Sequence, residues 1–347
     1  MVSSRRGLVR RRDFRAFCRH DAERFQSEKR GGQTMTDDVR ELRFMERIQR
    51  GEKIEATDWM PDEYRRLLIK LIHMHGVSEI MGAYPEKEWV PKAPSLRRKL
   101  AIMAKVQDEM GHGQLLLRVA EDLAAPLGKT REQLIEDIYL SRVKFHNVFH
   151  MEAKTWADAG VIGWLVDGAA IINQAALLET SYAPYARVLK RICAEESFHM
   201  QHGENIILAL AMGTAEQKQM LQDSLNYWWE SLLFFFGPQE VTPAAERMIY
   251  YKIRTKTNEE LRQKFLDKYV PRILSLGLTI PDPNLRYDEE QKRWLYTSPD
   301  WEKFGRIVRN NEGPKSRERM ELRQSAHEGQ RWVREAMIHS RVDTTAV

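Results

Sequence analysis

The chain has 347 residues, of which 42% are hydrophobic and 30% charged, and it contains only two cysteines. This composition is typical of a soluble globular protein with one sizeable core. It excludes a disulfide scaffold and an iron–sulfur protein, and we find no apolar run approaching the roughly 18–20 residues of a membrane span. The formal net charge of +5 is concentrated at the start, because residues 1–34 hold ten Lys/Arg against four Asp/Glu whereas residues 35–347 hold 45 against 46.

Residues 1–34 form an arginine-rich segment without the apolar core of a secretory signal. Like charges at this density oppose packing, so we expect residues 1–34 to be a disordered basic arm or to precede a true start at Met35. A transit peptide and a nucleic-acid-binding arm are the alternatives, and we expect no nucleic-acid partner. Without a signal or paired cysteines, we expect a reducing compartment and a cytoplasmic protein.

The first two helical segments are separated by a connector that contains Pro and Trp. The first begins at Asp58 or Pro61 and runs through "YRRLLIKLIHMHGVSEIMG" to the connector "AYPEKEWVPKAP". The second begins with Ser95 as its N-cap and ends near Leu123. This arrangement predicts an antiparallel helical hairpin.

A second hairpin follows a crossover at about residues 130–155. Its helices cover "WADAGVIGWLVDGAAIINQAALLE" and the stretch from about Tyr185 to Met212. Two long hairpins joined by a long crossover predict an all-α, ferritin-like antiparallel four-helix bundle at residues 35–237. Prolines should break residues 238–347 into short pieces, which predicts an irregular helical C-terminal extension packing on the bundle or on partner subunits. These prolines are Pro238, Pro243, Pro271, Pro281, Pro283, Pro299 and Pro314.

The second and fourth helices each carry Glu-x-x-His in the middle of an apolar face. The residues are Glu109 and His112 in "KVQDEMGHGQ", and Glu196 and His199 in "EESFHMQHGE". Positions three apart lie on one side of a helix, so each pair points a carboxylate and an imidazole at one site. Chance alone gives about one such match in a chain of this composition. The position of both pairs, in the helices where di-iron carboxylate proteins carry this motif, favours a metal site.

Such a site needs one more carboxylate from each of the other two helices. The candidates on the third helix are Asp158, Asp167 and Glu179. We select Asp167 because it lies as far before the turn near Ala183 as His199 lies after it. On the first helix Glu79 continues the apolar stripe. It lies near the helix end, so the connector must climb about 15–20 Å to reach the level of Glu109.

Charge balance supports a metal site. Four buried carboxylates without partners would cost several kcal/mol each. Two ferrous ions would balance them while both imidazoles stay neutral. Oxygen ligands with one imidazole per metal favour iron or manganese and leave positions open for dioxygen. Gly111 and Gly113 flank His112, and we expect them to keep side-chain bulk away from the metal.

Several neighbouring residues have two interpretations. Asp108 and Glu195 either accept hydrogen bonds from the metal-binding imidazoles or are solvated. His73 is expected to be a core histidine, and so is His75, unless it supports a neighbouring ligand. The aromatic stretch "YWWESLLFFFG" is predicted to pack in the core or at an interface rather than to bind substrate.

Many separated stretches, in order, carry a family resemblance over about residues 41–334. They are "DWMPDEYR", "SEIMG", "APSLRRK", "AKVQDEMGHG", "WADAGVIGWLVDGAAIINQ", "TSYAPYAR", "EESFHMQHGE", "KQMLQD", "TNEELRQKF", "PDPNL" and "WVREA". In these stretches the chain resembles the catalytic subunits of ring-1,2-phenylacetyl-CoA epoxidases, multicomponent oxygenases of bacterial phenylacetate degradation. The resemblance implies a di-iron centre whose ligands are Glu79, Glu109, His112, Asp167, Glu196 and His199.

The resemblance also implies the reaction and the partners. Activated dioxygen would attack the ring of phenylacetyl-CoA to give the 1,2-epoxide and water, with NADPH as the ultimate electron donor. The chain has no Gly-x-Gly-x-x-Gly loop and no cysteine set for a cluster, so a separate flavin and iron–sulfur reductase must deliver the electrons. A paralogous metal-free bundle and small accessory subunits would complete the complex.

Coenzyme A carries phosphates, so its contacts should include cations. The resemblance places part of this contact on the crossover, at "KFHN", and adds two lysines as candidates. The predicted substrate-binding residues are Lys70, Lys105, Lys144, Phe145, His146 and Asn147. Lys105, one turn before Glu109, is also expected to reach toward the metal carboxylates when substrate is absent. An ordinary solvated lysine is the alternative for each.

Three other functions compete with this interpretation. A non-catalytic ferritin-like structural subunit of the same complex should have lost ligands, whereas all six are present. A radical-generating subunit should carry a tyrosine beside the iron, and no tyrosine lies within one turn of a proposed ligand on the stripe. A hydroxylase acting on another aromatic compound is the third.

Overall fold

The computed structural model describes residues 32–239 and 242–336. The chain divides into two compact units, residues 1–50 and residues 51–347. The described part of the first unit is helix α1 (Gly32–Gln49). The predicted basic arm lies outside the described residues, apart from the three residues that begin α1.

Helices make up most of the second unit. They are α2 (Asp62–Lys87), α3 (Leu96–Ala124), α4 (Arg131–Tyr139), α5 (Trp156–Val161), α6 (Asp167–Leu177), α7 (Ala183–Ala211), α8 (Ala215–Phe234), α9 (Pro243–Tyr250), α10 (Asn258–Ser275), α11 (Trp301–Asn310) and α12 (Ser316–Gly329). A π-helical segment, Ile162–Val166, joins α5 to α6 into one bundle helix. Helices α2 and α3 form one hairpin, α5–α6 and α7 form the other, and α4 lies in the crossover. The predicted all-α, ferritin-like fold is confirmed.

Helix α2 is longer than predicted. Instead of ending before "AYPEKEWVPKAP", it continues through Pro85 to Lys87. Pro85 removes one backbone hydrogen bond, and burial of the surrounding turn offsets that cost. The five extra residues lengthen the helix by about 7.5 Å, so the connector need not climb as far as predicted. Ser95 caps α3 as expected, its hydroxyl accepting from Arg98 N at 3.3 Å.

The third bundle helix explains why Asp158 lies outside the site. Its carboxylate caps the start of α5, where Oδ2 accepts from Thr155 N at 2.7 Å, and Oδ1 accepts from Trp228 Nε1 at 3.0 Å. The π-helical segment then inserts an extra residue per turn immediately before Asp167. The local backbone therefore changes at the point where the helix presents this carboxylate.

The two helices of the second hairpin approach each other through glycines. A Cβ atom added at Gly203 on α7 would lie 2.2 Å from the carbonyl carbon of Gly163 in the π-helical segment. Backbone atoms cannot rotate away, so this crossing requires glycine. His199 lies one turn before Gly203, and Asp167 lies one turn after Gly163, so the crossing sets the spacing between these two side chains.

One proline of the C-terminal extension does not break a helix, contrary to the prediction. Pro271 lies inside the 18-residue helix α10 rather than at a break. A short antiparallel hairpin of β1 (Arg286–Asp288) and β2 (Arg293–Leu295) follows, with Arg286 opposite Leu295. The aromatic stretch "YWWESLLFFFG" belongs largely to α8 and is mostly buried in the core, as expected.

The third bundle helix is the one described segment with the length and apolarity of a membrane span. It covers Trp156–Leu177, with a mean hydropathy of 1.3 in its apolar window. No such run was expected from the sequence. Because 67% of that window is buried inside the protein and the helix presents Asp167 internally, its apolarity is that of a bundle core.

Candidate metal centre

Four carboxylates and two imidazoles from the four bundle helices converge inside the second unit, and all six are buried. Their ligand atoms form two groups, each with its atoms within 4.8 Å of one another: Glu79, Glu109, His112 and Glu196 in one, and Asp167, Glu196 and His199 in the other. Glu196 belongs to both groups. The arrangement therefore suits two neighbouring cations that share one carboxylate.

Each imidazole is oriented by a carboxylate on the other motif's helix. His112 Nε2 donates to Glu195 Oε2 at 2.8 Å. His199 Nε2 donates to Asp108 Oδ2 at 3.1 Å. The Nδ1 atom of His112 then faces the cluster, 3.4 Å from one carboxylate oxygen on α2 and one on α7, and is a buried atom without a hydrogen bond. A nitrogen held in this way between carboxylates fits a metal ligand.

The buried carboxylates shift the pKa values of the groups around them. Burial lowers the pKa of His112, but the nearby carboxylates of Glu196 and Glu79 outweigh it and raise this pKa to about 11. The pKa of His199 rises to about 12, because Glu109 and Glu196 likewise outweigh burial. Burial and the Glu196 charge raise the pKa of Glu109 well above its usual range. Metal ions displace such protons on binding, so the charge distribution favours cations.

Lys105 joins two carboxylates beside the cluster. Its Nζ atom lies 2.5 Å from both Glu86 Oε1 and Asp167 Oδ2, and 4.0 Å from Glu109 Oε1. Burial lowers the pKa of Lys105, but Asp167 and Glu86 outweigh it and raise this pKa. Burial raises the pKa of Asp167 to about 7, although Lys105 opposes this shift. Lys105 thus contacts carboxylates of the cluster, as predicted from the sequence.

A second hydrogen-bonded chain supports Glu79. The Tyr185 hydroxyl donates to His75 Nδ1 at 2.7 Å, and His75 Nε2 lies 2.8 Å from Glu79 Oε1, to which it donates. Gln174 Nε2 also donates to this oxygen, at 3.3 Å. His75 therefore supports a cluster carboxylate, one of its two predicted roles. His73 bonds the Leu134 carbonyl at 2.9 Å, as a core histidine would.

A cavity of about 240 Å³ opens onto the cluster. Its wall includes Glu79, Glu109, Asp167 and Glu196. Five phenylalanines line it as well, namely Phe145, Phe149, Phe235, Phe236 and Phe304. The end of the aromatic stretch thus lines a cavity as well as packing in the core. A largely apolar cavity with a few polar groups is typical of a small-molecule site.

Comparison with known proteins identifies the family. Residues 35–332 match the family described as Phenylacetic acid catabolic protein. The chain belongs to this family. It is similar to one of the subunits of the 1,2-phenylacetyl-CoA epoxidase of Escherichia coli (strain K12), with 46% identity over 301 residues that cover 86% of this chain and 96% of the relative. The resemblance to the catalytic subunits of these enzymes is confirmed.

In this phenylacetic acid catabolic protein, only some of the residues predicted to contact coenzyme A lie at the cavity. Phe145, His146 and Asn147 line the cavity. Lys144 does not line it, and its Nζ donates to the Arg309 carbonyl at 2.9 Å. Lys70 is exposed on α2, outside the cavity wall. The crossover thus supplies cavity residues, whereas neither lysine reaches the cavity.

One residue of the site was missed in the sequence, and one expectation about its glycines was wrong. Glu86 falls in the predicted connector, although its spacing of seven residues from Glu79 places both on one face if the helix continues. The role expected for the glycines beside His112 is wrong. A Cβ at Gly113 would lie 2.5 Å from Ile80 Cγ1, so this glycine allows close packing of α2, whereas a Cβ at Gly111 would meet nothing within 4 Å.

Proposed function

We propose that this chain is the oxygen-activating component of a multicomponent oxygenase, and that it converts the ring of phenylacetyl-CoA into the 1,2-epoxide. The observation that carries the proposal is the position of the two metal-ligand groups, which share Glu196 and open directly onto an aromatic-lined cavity. The relative's name describes the same reaction class. Electrons would come from NADPH through a separate reductase.

The donor set fits two iron ions. Glu79, Glu109, His112 and Glu196 would hold one, and Asp167, Glu196 and His199 the other. Two ferrous ions would carry a charge of +4 against the four carboxylates, which leaves the filled cluster formally neutral. Bound iron supplies the redox chemistry that makes dioxygen reactive toward an aromatic ring.

The protein's own contribution is positioning. The five phenylalanines of the cavity wall would hold an apolar ring against the cluster and exclude water. Glu195 and Asp108 would fix the two imidazoles, and His75 would fix Glu79. Lys105 would keep a positive charge beside Asp167. These contacts hold the ligands in place before the substrate enters.

Iron binding and product formation test the proposal together. The full chain would be reconstituted anaerobically with ferrous ion and assembled with its partner subunits. It would then be supplied with reductase, NADPH, phenylacetyl-CoA and ¹⁸O-labelled dioxygen. We expect about two irons per chain and a coenzyme A product that is heavier by one labelled oxygen. Turnover of a free aromatic acid instead would contradict the coenzyme A assignment.

Two variants provide matched controls on one helix. Glu196→Ala should remove the shared carboxylate and leave fewer than one iron per chain, with no product. Glu204→Ala, two turns further along α7, removes a carboxylate that pairs with Arg272 outside both ligand groups, and it should keep about two irons. A wild-type chain with less than one iron per chain would instead support the non-catalytic structural role.

A further inference from the structure

A half-buried cation in the cavity wall makes no ion pair among the described residues. Arg254 lies in the loop between α9 and α10 and lines the cavity. In the described part of the chain, its guanidinium makes one hydrogen bond, in which Nη2 donates to the neutral amide oxygen of Asn258 at 2.9 Å. Burial lowers its pKa, and the neighbouring charge effect comes from Tyr185, not from a carboxylate. The other N–H donors of this guanidinium can therefore bind an acceptor that a ligand supplies.

The arginine is held in place. Asn258 Nδ2 donates to the Pro238 carbonyl at 2.9 Å, which fixes the amide that holds the guanidinium. Gly237, at a φ of +83°, makes room for it, because a Cβ there would lie 2.9 Å from Asn258 Nδ2. A cation fixed before the ligand arrives loses little side-chain entropy on binding.

Arg254 lies between the cavity and the protein surface. It lines the cavity together with the cluster carboxylates, and it also lines a small cleft with the exposed side chains of Gln239 and Ile249. Lys256 lies on the same cleft. A ligand that passes from this cleft toward the cluster would therefore pass the guanidinium.

The size of the cavity selects the part of the ligand that enters it. Its volume of about 240 Å³ is below the roughly 300–1,000 Å³ of pockets that enclose drug-sized ligands. It can accept an arylacetyl group but not a whole coenzyme A. With the ring at the cluster, the acyl carbonyl follows the ring toward the entrance, and the phosphates stay outside.

We propose that Arg254 binds the carbonyl oxygen of the acyl thioester and thereby sets how far the aromatic ring enters the cavity. This inference rests on the proposed function. A charge-assisted hydrogen bond of this kind changes binding about 10-fold to 100-fold. Arg254 is therefore a positioning and specificity residue for thioesters.

Equilibrium binding to the full chain in its assembled complex tests the assignment. Titration calorimetry would compare phenylacetyl-CoA, the thioether 2-phenylethyl-CoA, which lacks the carbonyl, and coenzyme A alone. We expect Arg254→Met to weaken binding of the thioester about 10-fold to 100-fold and to change binding of the thioether and of coenzyme A less than about 2-fold. Arg254→Lys should keep part of the thioester affinity, and it replaces Arg254→Met if that variant does not fold.

The remaining outcomes separate the alternatives. Lys256→Met, which removes the neighbouring cation of the cleft, should leave all three affinities within about 2-fold. An equal loss for all three ligands on changing Arg254 would mean a phosphate contact or a structural role and would overturn the assignment, as would no loss at all. If the wild-type complex binds no phenylacetyl-CoA, the proposed function fails and this inference fails with it.

Discussion

Replacing Gly203 by alanine should separate the two helices of the second hairpin. The new Cβ would lie 2.2 Å from Gly163 C and 2.4 Å from Trp164 N. Ordinary carbon contacts are about 3.5–4.0 Å, so the helices must move apart by about 1 Å or more. Both clashing atoms belong to helical backbone, so no side-chain rotation can relieve them. Overpacking of this kind costs about 1–3 kcal/mol of the free energy of unfolding.

The same movement should weaken one metal site more than the other. Asp167 and His199 lie on the two helices that separate. Both belong to the ligand group that Glu196 completes, whose atoms must stay within 4.8 Å of one another. The other group keeps Glu79, Glu109 and His112 on the unaffected hairpin. We expect reconstituted Gly203→Ala protein to bind about one iron per chain instead of two.

Urea unfolding of the metal-free protein and iron analysis of the reconstituted protein measure both effects. Gly111→Ala is the matched control, because a Cβ there meets nothing within 4 Å. It should leave iron binding unchanged and stabilise the protein by up to about 1 kcal/mol through helix propensity. If the two variants unfold with the same free energy and bind the same iron, the glycine crossing does not set the site's spacing and the reasoning is refuted.

Two further predictions concern buried charge. Lys105→Met leaves Glu86 and Asp167 without their shared cation, so it should lower the free energy of unfolding of the metal-free protein by about 3–5 kcal/mol. Adding Glu86→Gln should recover part of this loss in the same denaturation assay, and no recovery would contradict the pairing. Burial lowers the pKa of His150 to about 3 from 6.5, so the unfolded chain binds the proton first and stability falls as the pH drops from about 6.5 toward 3. This contributes up to about 1.4 kcal/mol per pH unit. His150→Gln, which can still bond Ser316, should flatten the profile of unfolding free energy against pH, and an unchanged slope would contradict this origin.

The order of the helices and the face that carries the site could be predicted from the sequence. Helical periodicity is a local property, so the spacing of Glu109 and His112, and of Glu196 and His199, determined which side chains point the same way. The Ser95 cap is also local. Counting residues from the turn near Ala183 was sufficient to bring Asp167 to the level of His199. The continuation of α2 through Pro85 was missed because burial overrides the local preference of proline.

The partners of the cluster were decided by the tertiary structure. Lys105 meets Glu86 and Asp167 from other helices, and Tyr185 reaches Glu79 only through His75. Each imidazole donates to a carboxylate on the other motif's helix. From their positions along the chain alone, Asp108 and Glu195 could equally have been solvated side chains. Arg254 lies far beyond Glu196 along the chain, on a loop without periodicity. Which distant side chains meet depends on helix crossings, such as that of Gly163 and Gly203, and these are fixed only when the whole core packs.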